Sequence, residues 1–288
     1  MTASISIEQI TKTFPPRGGS RGGDNQPFVA IDKIDFEVRA GEFLVVVGPS
    51  GCGKSTLLDL LGGLTRPSSG RILLDGQEIE SPGLDRGIVF QQYALFPWRT
   101  AAANVEFGLE TKGVKRAQRR ARAREYLALV GLEGFEDRYP HELSGGMKQR
   151  VAIARSLAYE PEVLLMDEPF AALDAQTREV LQGELLRIWQ QTGKTIVFIT
   201  HGIDEAVFLG QRVLVMTSRP GTIKEAVEIG LPEWSADEDP RSHPEFARYR
   251  HRIWELLRDE VAKSQLGEQI EFPEIIEAEP HERVLAHV

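Results

Sequence analysis

The chain has 288 residues, of which 41% are hydrophobic and 27% charged, and its formal net charge is −9. This length is enough to bury a sizeable core, and the acidic balance argues against a general nucleic-acid binder, which is usually basic. The single cysteine, Cys52, excludes an intrachain disulfide and fits a reducing compartment.

The sequence gives no sign of a segment that enters a membrane. The first ten residues alternate polar and apolar side chains and lack the basic start and long apolar run of a signal peptide. No apolar run approaches the roughly 18 to 20 residues that a spanning helix needs. We therefore expect any membrane connection to run through a partner protein.

The beginning of the chain is predicted to form two antiparallel strands. Residues 4–10 and 34–38 alternate polar and apolar side chains, which is the period of a half-buried strand. Residues 15–27 between them are rich in Gly, Pro, Arg and Ser. We interpret this segment as a flexible hairpin loop, with a specific binding role as the alternative.

A phosphate-binding loop follows the next apolar run. Residues 43–47 are continuously apolar, and Gly48-Pro49-Ser50-Gly51-Cys52-Gly53-Lys54-Ser55 then leads into a short helix predicted over residues 54–61. The glycines allow successive backbone N–H groups to point inward around phosphate oxygens. Lys54 suits the β- and γ-phosphates of a nucleotide, and the Ser55 hydroxyl suits Mg²⁺. Cys52 is interpreted as a small loop residue without a redox role.

Further apolar runs, separated mostly by helical segments, predict a parallel sheet covered on both faces. They lie at residues 88–90, 163–166, 195–200 and 212–216. Residues 93–160 break this alternation and are interpreted as an inserted helical subdomain. Its basic stretch, residues 112–124, is expected to form a solvated helix face, with contact to lipid headgroups as the alternative.

A second anion-binding device is predicted inside this helical segment. A helix over residues 147–160 follows Ser144, Gly145 and Gly146 and stops before Pro161. The start of a helix offers unpaired N–H groups and the positive end of the helix dipole, so it is suited to bind an anion. Two such devices in one chain require an explanation.

Two adjacent carboxylates follow the strand predicted at residues 163–166. Because ligands gather at the carboxyl ends of strands in open α/β sheets, Asp167 and Glu168 are expected to face the nucleotide. Asp167 suits Mg²⁺, directly or through water, and Glu168 suits a general base for the attacking water, a role worth about 10²–10⁴ in rate. The alternative is an ordinary turn at the end of a strand.

Two more polar residues follow predicted strands. His201 comes after residues 195–200 and is a candidate for contact with the γ-phosphate or the water, with a purely structural role as the alternative. Gln91 comes after residues 88–90, where its amide is a candidate for contact with Mg²⁺ or the water.

The chain changes character after Leu231. Residues 232–244 are polar and contain proline, and residues 245–262 carry apolar side chains at helical spacing, which predicts a helix docked on the body. Residues 265–288 are acidic without clear periodicity, and the sequence leaves open whether they are disordered or contact a partner.

Taken in order, these motifs resemble those of the ATP-binding cassette (ABC) ATPases over residues from about 5 to 230. Residues 48–55 fall at the Walker A motif, Gln91 at the Q-loop, residues 143–149 at the signature, residues 163–167 at Walker B and His201 at the switch histidine. The departures are modest: Ala171 stands where the D-loop often has serine, and Gly202 stands where an aspartate is common. Neither change removes a catalytic group.

This resemblance implies an α/β fold with a P-loop (RecA-like) core, an antiparallel β subdomain and an inserted α-helical subdomain over about residues 93–160. It implies an ABC ATPase domain over residues 1–231. The C-terminal extension, residues 232–288, is then expected to contain a helix over about residues 245–262 and an acidic tail.

The resemblance also implies ATP and Mg²⁺ as cofactors and assigns roles to residues. The catalytic residues are Glu168, His201 and Lys54, and the metal ligands are Ser55, Gln91 and Asp167. The ATP-binding residues are Phe14, Gly48, Pro49, Ser50, Gly51, Cys52, Gly53, Lys54, Ser55, Thr56 and Gln91. Phe14 falls where the family places an aromatic ring on adenine, and Phe28 is the alternative.

The family arrangement accounts for the second anion site. In this family two cassettes pack head to tail, and ATP held by the Walker A loop of one is capped by the signature of the other. By implication Ser144, Gly145, Gly146 and Asp174 contact ATP in trans, in a second copy of the chain or in a paralogous cassette. ATP then joins the dimer and hydrolysis releases it.

A finer resemblance is to the nitrate/sulfonate/taurine/bicarbonate importer group. It rests on residues 81–86, 96–99, 167–174 and 218–221. It implies two transmembrane permease subunits, a periplasmic or lipid-anchored solute-binding protein, and a peripheral location on the cytoplasmic face of the membrane. Phe96, Pro97 and Trp98 would form a hydrophobic socket for a helix of the membrane subunit, unless Trp98 belongs to the subdomain core.

Two rival functions remain open at this point. One is a soluble ABC ATPase of DNA repair or translation, against which the acidic balance, the single cassette and the missing coiled-coil insertion all argue, so that no nucleic-acid partner is expected. The other is the ATPase of an exporter or lipid-extraction system, some of which are built from separate chains. The sequence names no solute.

Overall fold

The computed structural model of the chain describes residues 2–15, 27–232 and 239–268, with side chains as far as residue 264. The hairpin loop predicted for residues 15–27 and the acidic tail therefore lie almost entirely outside the described residues. Among the described helices, none combines the length and the apolar character needed to cross a membrane.

A six-stranded sheet forms the centre of the fold, in the order β10-β9-β3-β8-β7-β6. Its strands are β3 (Phe43–Val47), β6 (Arg86–Val89), β7 (Val163–Asp167), β8 (Thr195–Ile199), β9 (Arg212–Met216) and β10 (Ile223–Glu228). All neighbours pair in parallel except β9 and β10. Every residue of β3 and β8 is buried, because helices and a second sheet cover both faces. The predicted α/β fold with a parallel core is confirmed.

A second, antiparallel sheet packs on one face of this core, in the order β2-β1-β4-β5. It contains β1 (Ile5–Phe14), β2 (Phe28–Val38), β4 (Ser69–Leu74) and β5 (Gln77–Glu78). The first two strands are longer than their alternation predicts. Register shifts interrupt the β1–β2 pairing, and Gln9 and Lys33 have positive φ angles of 48° and 42° beside them. These irregularities interrupt the alternation of polar and apolar residues, so the sequence pattern does not reveal the full length of the strands.

Three helices lie between β6 and β7: α2 (Ala101–Thr111), α3 (Arg116–Leu129) and α4 (Gly145–Ala158). The helix predicted over residues 147–160 therefore begins and ends two residues earlier. Ser144 defines its start, because its hydroxyl oxygen accepts a hydrogen bond from the Met147 N–H at 3.3 Å.

The basic stretch differs from its expected role as a purely solvated face. Arg119 and Arg120 on α3 both pair with Glu106, a largely buried carboxylate on α2, at 3.5 Å. Arg120 also pairs with Asp137 at 2.5 Å. Part of this positive charge is therefore used to hold α3 on α2.

The remaining helices are α1 (Lys54–Leu61), α5 (Ala175–Thr192), α6 (Ile203–Leu209) and α7 (Pro244–Glu268). The C-terminal helix α7 extends six residues beyond the predicted end at 262. Phe246, Ile253 and Leu257 on this helix are buried as a docked face requires. Trp254 and Val261, which have the same helical spacing, remain substantially exposed.

Candidate active site

The phosphate loop joins β3 to α1 in the strand–loop–helix arrangement that its sequence predicts. Gly51 and Gly53 have φ angles of +70° and +102°, a region that glycine adopts without steric cost. Gly53 starts α1 without a side-chain cap, so the first N–H groups of the helix have no side-chain acceptor there. Lys54 is almost fully buried, and its ammonium group donates to the Gly48 and Pro49 carbonyls, both at 2.9 Å. The loop thus holds a cation against its own backbone.

Asp167 lies beside this loop at the end of β7. The Ser55 hydroxyl donates to Asp167 Oδ1 at 3.4 Å. Burial raises the pKa of Asp167, while the hydrogen bond from Ser55 and the positive charge of Lys54 act in the opposite direction. The Asp167 carboxylate is therefore partly shielded from water and lies close to the positive charge of Lys54.

The oxygen donors in this place fit a magnesium ion. Ser55 and Asp167 offer a hydroxyl and a carboxylate next to each other, and Gln91 is an exposed amide just beyond the end of β6. Mg²⁺ prefers oxygen ligands, usually takes one or two carboxylates and keeps several waters. The described residues contain no cluster of three or more His, Cys, Asp and Glu that could hold a metal ion.

Glu168 and His201 form a close pair at the same edge of the sheet. Glu168 Oε1 lies 2.5 Å from His201 Nε2. Glu168 has a φ of 45°, unusual for a residue with a side chain, and its N–H donates to the Ile199 carbonyl at 3.0 Å. This turn brings the carboxylate of Glu168 to His201, the second residue after the end of β8. His201 is thus a direct partner of Glu168.

The two candidate adenine rings are neighbours at the ends of β1 and β2. Phe14 and Phe28 face each other in the strand register, with ring centroids 6.5 Å apart and planes 25° apart. Both rings are partly exposed. The Lys12 ammonium lies 5.2 Å from the Phe14 centroid, and the Arg219 guanidinium lies 4.9 Å from the Phe28 centroid. The structure keeps both rings as candidates.

The second predicted anion-binding site, which comprises Ser144, Gly145 and Gly146 at the start of α4, lies against the start of α5. A Cβ atom added at Gly146 would lie 2.7 Å from Thr177 Cγ2, so only glycine allows this approach. Asp174 caps α5 by accepting the Thr177 N–H at 2.9 Å, a bond that lowers the pKa of this carboxyl. No hydrogen bond or ion pair of the described residues joins Ser144, Gly145, Gly146 or Asp174 to the phosphate loop of the same chain.

An exposed aromatic cluster follows Gln91. We define it as Phe96, Trp98 and Phe107: the Phe96 centroid lies 5.6 Å from that of Trp98 and 4.8 Å from that of Phe107. Trp98 is 72% exposed, so the interpretation of Trp98 as subdomain core is wrong. Asn104, fully buried, holds the loop by bonds with Phe96 N–H and with three backbone carbonyls between Phe96 and Thr100.

Sequence reasoning missed two parts of this geometry. Phe107 sits within α2 and belongs to no motif, and its neighbours Glu106 and Gly108 are both buried, so no local pattern marks its exposure. In the sequence Arg219 stands out only as part of residues 218–221, yet its Nε donates to the Gly51 carbonyl of the phosphate loop at 2.8 Å. That contact joins residues far apart in the chain, and no local pattern announces it.

Comparison with known proteins gives consistent relationships. The family model described as "ABC transporter" matches residues 31–171. The nitrate import ATP-binding protein NrtD of Synechocystis is 49% identical over 88% of this chain and 95% of its own length. The taurine import ATP-binding protein TauB of Rhizobium johnstonii is 50% identical over 79% of this chain and 88% of its own.

Solved structures give the same relationship. The dimeric post-hydrolysis state of an ATP-binding cassette bound to ADP and Pi superimposes with a TM-score of 0.67. It is 34% identical in sequence, and the match covers 78% of this chain and 98% of that chain.

The environment of Cys52 makes a prediction about its reactivity. Burial raises the pKa of the Cys52 thiol, although the nearby Lys54 ammonium opposes this effect. Because the thiolate is the reactive form, we expect native protein at pH 7.5 to react with iodoacetamide at least about tenfold more slowly than unfolded protein. Mass spectrometry of time points with and without denaturant measures both rates, and equal rates would contradict the burial of this thiol.

Proposed function

The chain belongs to the family of ABC transporter ATP-binding proteins, which are ATPases coupled to transport, and from this we propose that it powers a bacterial importer. The proposed cargo is a small anionic solute of the nitrate, sulfonate, taurine or bicarbonate kind. The observation that carries the hydrolytic part is the 2.5 Å contact between Glu168 and His201, beside Asp167 and the phosphate loop. The relatives named for nitrate and taurine import support the rest.

The proposed reaction uses the residues in distinct roles. The Lys54 ammonium and the N–H groups of the loop and of α1 bind the phosphates of ATP. The Glu168 carboxylate takes a proton from the water that attacks the γ-phosphorus, and the bond between that phosphorus and ADP breaks. His201, through Nε2, keeps the Glu168 carboxylate in place and is positioned to meet the γ-phosphate.

Mg²⁺, held by Ser55, Asp167 and Gln91, supplies positive charge against the phosphate oxygens when it is bound. Phe14, or Phe28 beside it, is proposed to stack on adenine. Thr56 follows Ser55 in the first turn of α1 and is included with the other loop residues, Gly48 to Ser55, in the ATP-binding set.

We propose that the start of α4 in one copy of the chain binds the ATP held by the phosphate loop of another copy. In the part of one chain that the structure describes, the start of α4 contacts α5 and makes no polar bond to the phosphate loop. The similar solved cassette, in contrast, is a dimer bound to ADP and Pi. Ser144, Gly145 and Gly146 would then grip the γ-phosphate in trans, with Asp174 beside them. The open and closed dimers form the two states that couple hydrolysis to movement.

The aromatic cluster is proposed to receive the membrane subunit. Phe96, Pro97 and Trp98 lie on a loop fixed by the buried Asn104, and Phe107 extends the apolar surface. A rigid, exposed aromatic patch is suited to a helix of a partner protein. Two permease subunits, a solute-binding protein and a position on the cytoplasmic face of the membrane complete the proposed importer.

The hydrolytic assignment is tested with Glu168→Gln. The amide keeps the shape of the side chain but cannot accept the proton of water, so we expect ATP binding to persist while turnover falls by about 10²-fold or more. The trapped ATP should also shift the chain to a dimer in size-exclusion chromatography with MgATP. Full turnover by this variant would contradict the general-base role.

The capping in trans is tested with Ser144→Arg. The exposed Ser144 lies at the start of α4, so a bulky cation there should block closure of two copies without disturbing the phosphate loop. We expect ATP binding by the monomer within about twofold of wild type and hydrolysis reduced by about 10²-fold. Ser144→Ala, which removes the hydroxyl without adding bulk, measures how much of the loss comes from the hydroxyl alone. Hydrolysis that survives in the arginine variant would show that the signature does not act in trans.

The membrane contact is tested with Trp98→Asp. Because Trp98 is 72% exposed, a carboxylate there should leave the melting temperature nearly unchanged. We expect the variant to lose co-purification with the proposed permease subunits. Trp254→Asp changes an exposed tryptophan on α7 in the same way and should keep the partner. Retention of the partner by Trp98→Asp would place the contact elsewhere.

A further inference from the structure

The C-terminal helix α7 carries a buried carboxylate that its docking does not require. Glu260 is 2% exposed. Its Oε2 accepts hydrogen bonds from the Ser218 N–H at 3.0 Å and the Ser218 hydroxyl at 3.1 Å. Its Oε1 accepts from the ammonium groups of Lys224 at 2.9 Å and Lys263 at 3.0 Å. Apolar residues alone can dock a helix, and a buried charge is costly unless it is fully paired, so this arrangement calls for a function.

The carboxyl group of Glu260 is ionised at neutral pH. Burial acts to raise the pKa of Glu260, but the hydrogen bonds from Lys224, Ser218 and Lys263 outweigh it and lower this pKa to about 2. The hydrogen bonds from Ser218 are therefore made to an ionised carboxylate, and such bonds are stronger than those between neutral groups.

Ser218 belongs to a tight turn that connects β9 to β10. The Thr217 N–H donates to the Thr222 carbonyl at 3.0 Å, and the Thr217 hydroxyl donates to the Pro220 carbonyl at 3.1 Å. The Thr222 N–H donates to the Thr217 hydroxyl at 2.9 Å. Residues 217–222 therefore form one hydrogen-bonded unit. Glu260 holds this unit at Ser218, and β2 holds it at Gly221, whose N–H donates to the Ala30 carbonyl and whose carbonyl accepts the Asp32 N–H, both at 3.0 Å.

The far side of this turn touches two consecutive peptide groups of the phosphate loop. Arg219 Nε donates to the Gly51 carbonyl at 2.8 Å, in the peptide group whose N–H belongs to Cys52. That N–H has within the loop only a long contact of 3.4 Å with the Pro49 carbonyl. A Cβ atom added at Gly221 would lie 2.1 Å from the Cys52 carbonyl, so the turn also packs directly on the next peptide group.

We propose that Glu260 is a positioning residue for the phosphate loop, acting from the C-terminal helix through the 217–222 turn and Arg219. The orientation of the Gly51–Cys52 peptide group decides where one N–H of the phosphate cradle points. A bond to its carbonyl oxygen holds that orientation before the nucleotide arrives, which lowers the ordering cost of binding. The inference rests on the proposed function, because it assumes that residues 48–55 bind the nucleotide.

The test measures equilibrium binding of ADP to the full chain by calorimetry. ADP is used because it lacks the γ-phosphate on which the signature of a second copy would act. Glu260→Ala is expected to weaken ADP binding by about tenfold, the scale of one hydrogen bond to a charged group. Asp259→Ala, at the exposed neighbouring carboxylate on α7, is the matched control and should change binding by less than about twofold.

A double-mutant cycle separates positioning from general support of the fold. Arg219→Ala should weaken ADP binding, and adding Glu260→Ala to it should cost clearly less affinity than Glu260→Ala costs alone, because the Arg219 step is already broken and only the packing of Gly221 remains. Glu260→Gln keeps an acceptor for Ser218 and the volume of the side chain, so its affinity should fall between wild type and Glu260→Ala. If Glu260→Ala does not fold, the cycle is run with Glu260→Gln.

Three results would overturn the inference. The first is a lower melting temperature of Glu260→Ala with unchanged ADP affinity, which would indicate a structural role alone. The second is independent losses in the double variant. The third is no ADP binding by wild type, or equal binding by wild type and Lys54→Ala; this result would remove the proposed nucleotide site itself and is thus distinct from the first two.

Discussion

The register of three buried parallel strands is the constraint on which the proposed site depends. Val46 of β3 and Asp167 of β7 both pair with Ile199 of β8. The next residues of each strand therefore emerge at one edge of the sheet, where they become the phosphate loop, Glu168 and His201. A slip of one residue in any of these pairings would turn the side chains of that strand to the other face of the sheet. Both strands are fully buried, and all of their residues except Thr195 are apolar. A slip in either strand is opposed by the packing on both faces of the sheet together, because each face must be filled.

Much of this edge was predictable because it is encoded locally. A loop of fixed spacing after an apolar run, and two carboxylates after another, are short patterns whose structural consequences follow from strand and helix geometry. The contact of Glu168 with His201 was not predicted. It depends on the positive φ of Glu168 and on the order of the strands, and neither follows from the residues next to it in sequence.

The elements that sequence reasoning missed depend on contacts between distant parts of the chain. The β4 and β5 strands are short; β4 is ordered by its pairing with β1, and β5 by its pairing with β4, neither of which their own sequences predict. The face of α3 that was expected in solvent pairs with Glu106, because α2 lies against it. The extra length of α7 has no strong signal in its last turns, and Glu260 in that helix looks in sequence like any surface acid. Its burial becomes apparent only when the turn at 217–222 is placed beside it.

The loops around the site are held mainly by polar side chains bonded to backbone carbonyls, with few loop side chains in an apolar core. Lys54 and Arg219 bind carbonyls of the phosphate loop, and Asn104 binds those of the loop with Phe96 and Trp98. This solution suits segments that must expose their own functional groups, because a loop cannot bury its side chains and present them to a partner at once. It also fixes peptide orientation, which apolar packing does not.

The same kind of bond joins α4 to the loop that carries the aromatic cluster. Arg155 on α4 donates to the Tyr93 and Ala94 carbonyls at 3.0 and 2.6 Å, and the Tyr93 hydroxyl lies against Gly145, where an added Cβ would be 3.1 Å away. The segment from Gln91 to Trp98 is thus fastened to the helix whose start is proposed to cap ATP in trans. A displacement of Trp98 by a membrane partner would therefore act on Gln91 and on α4 together. The coupling between transport and hydrolysis then needs no long path, since one short loop touches the proposed metal ligand, the proposed partner surface and the proposed cap.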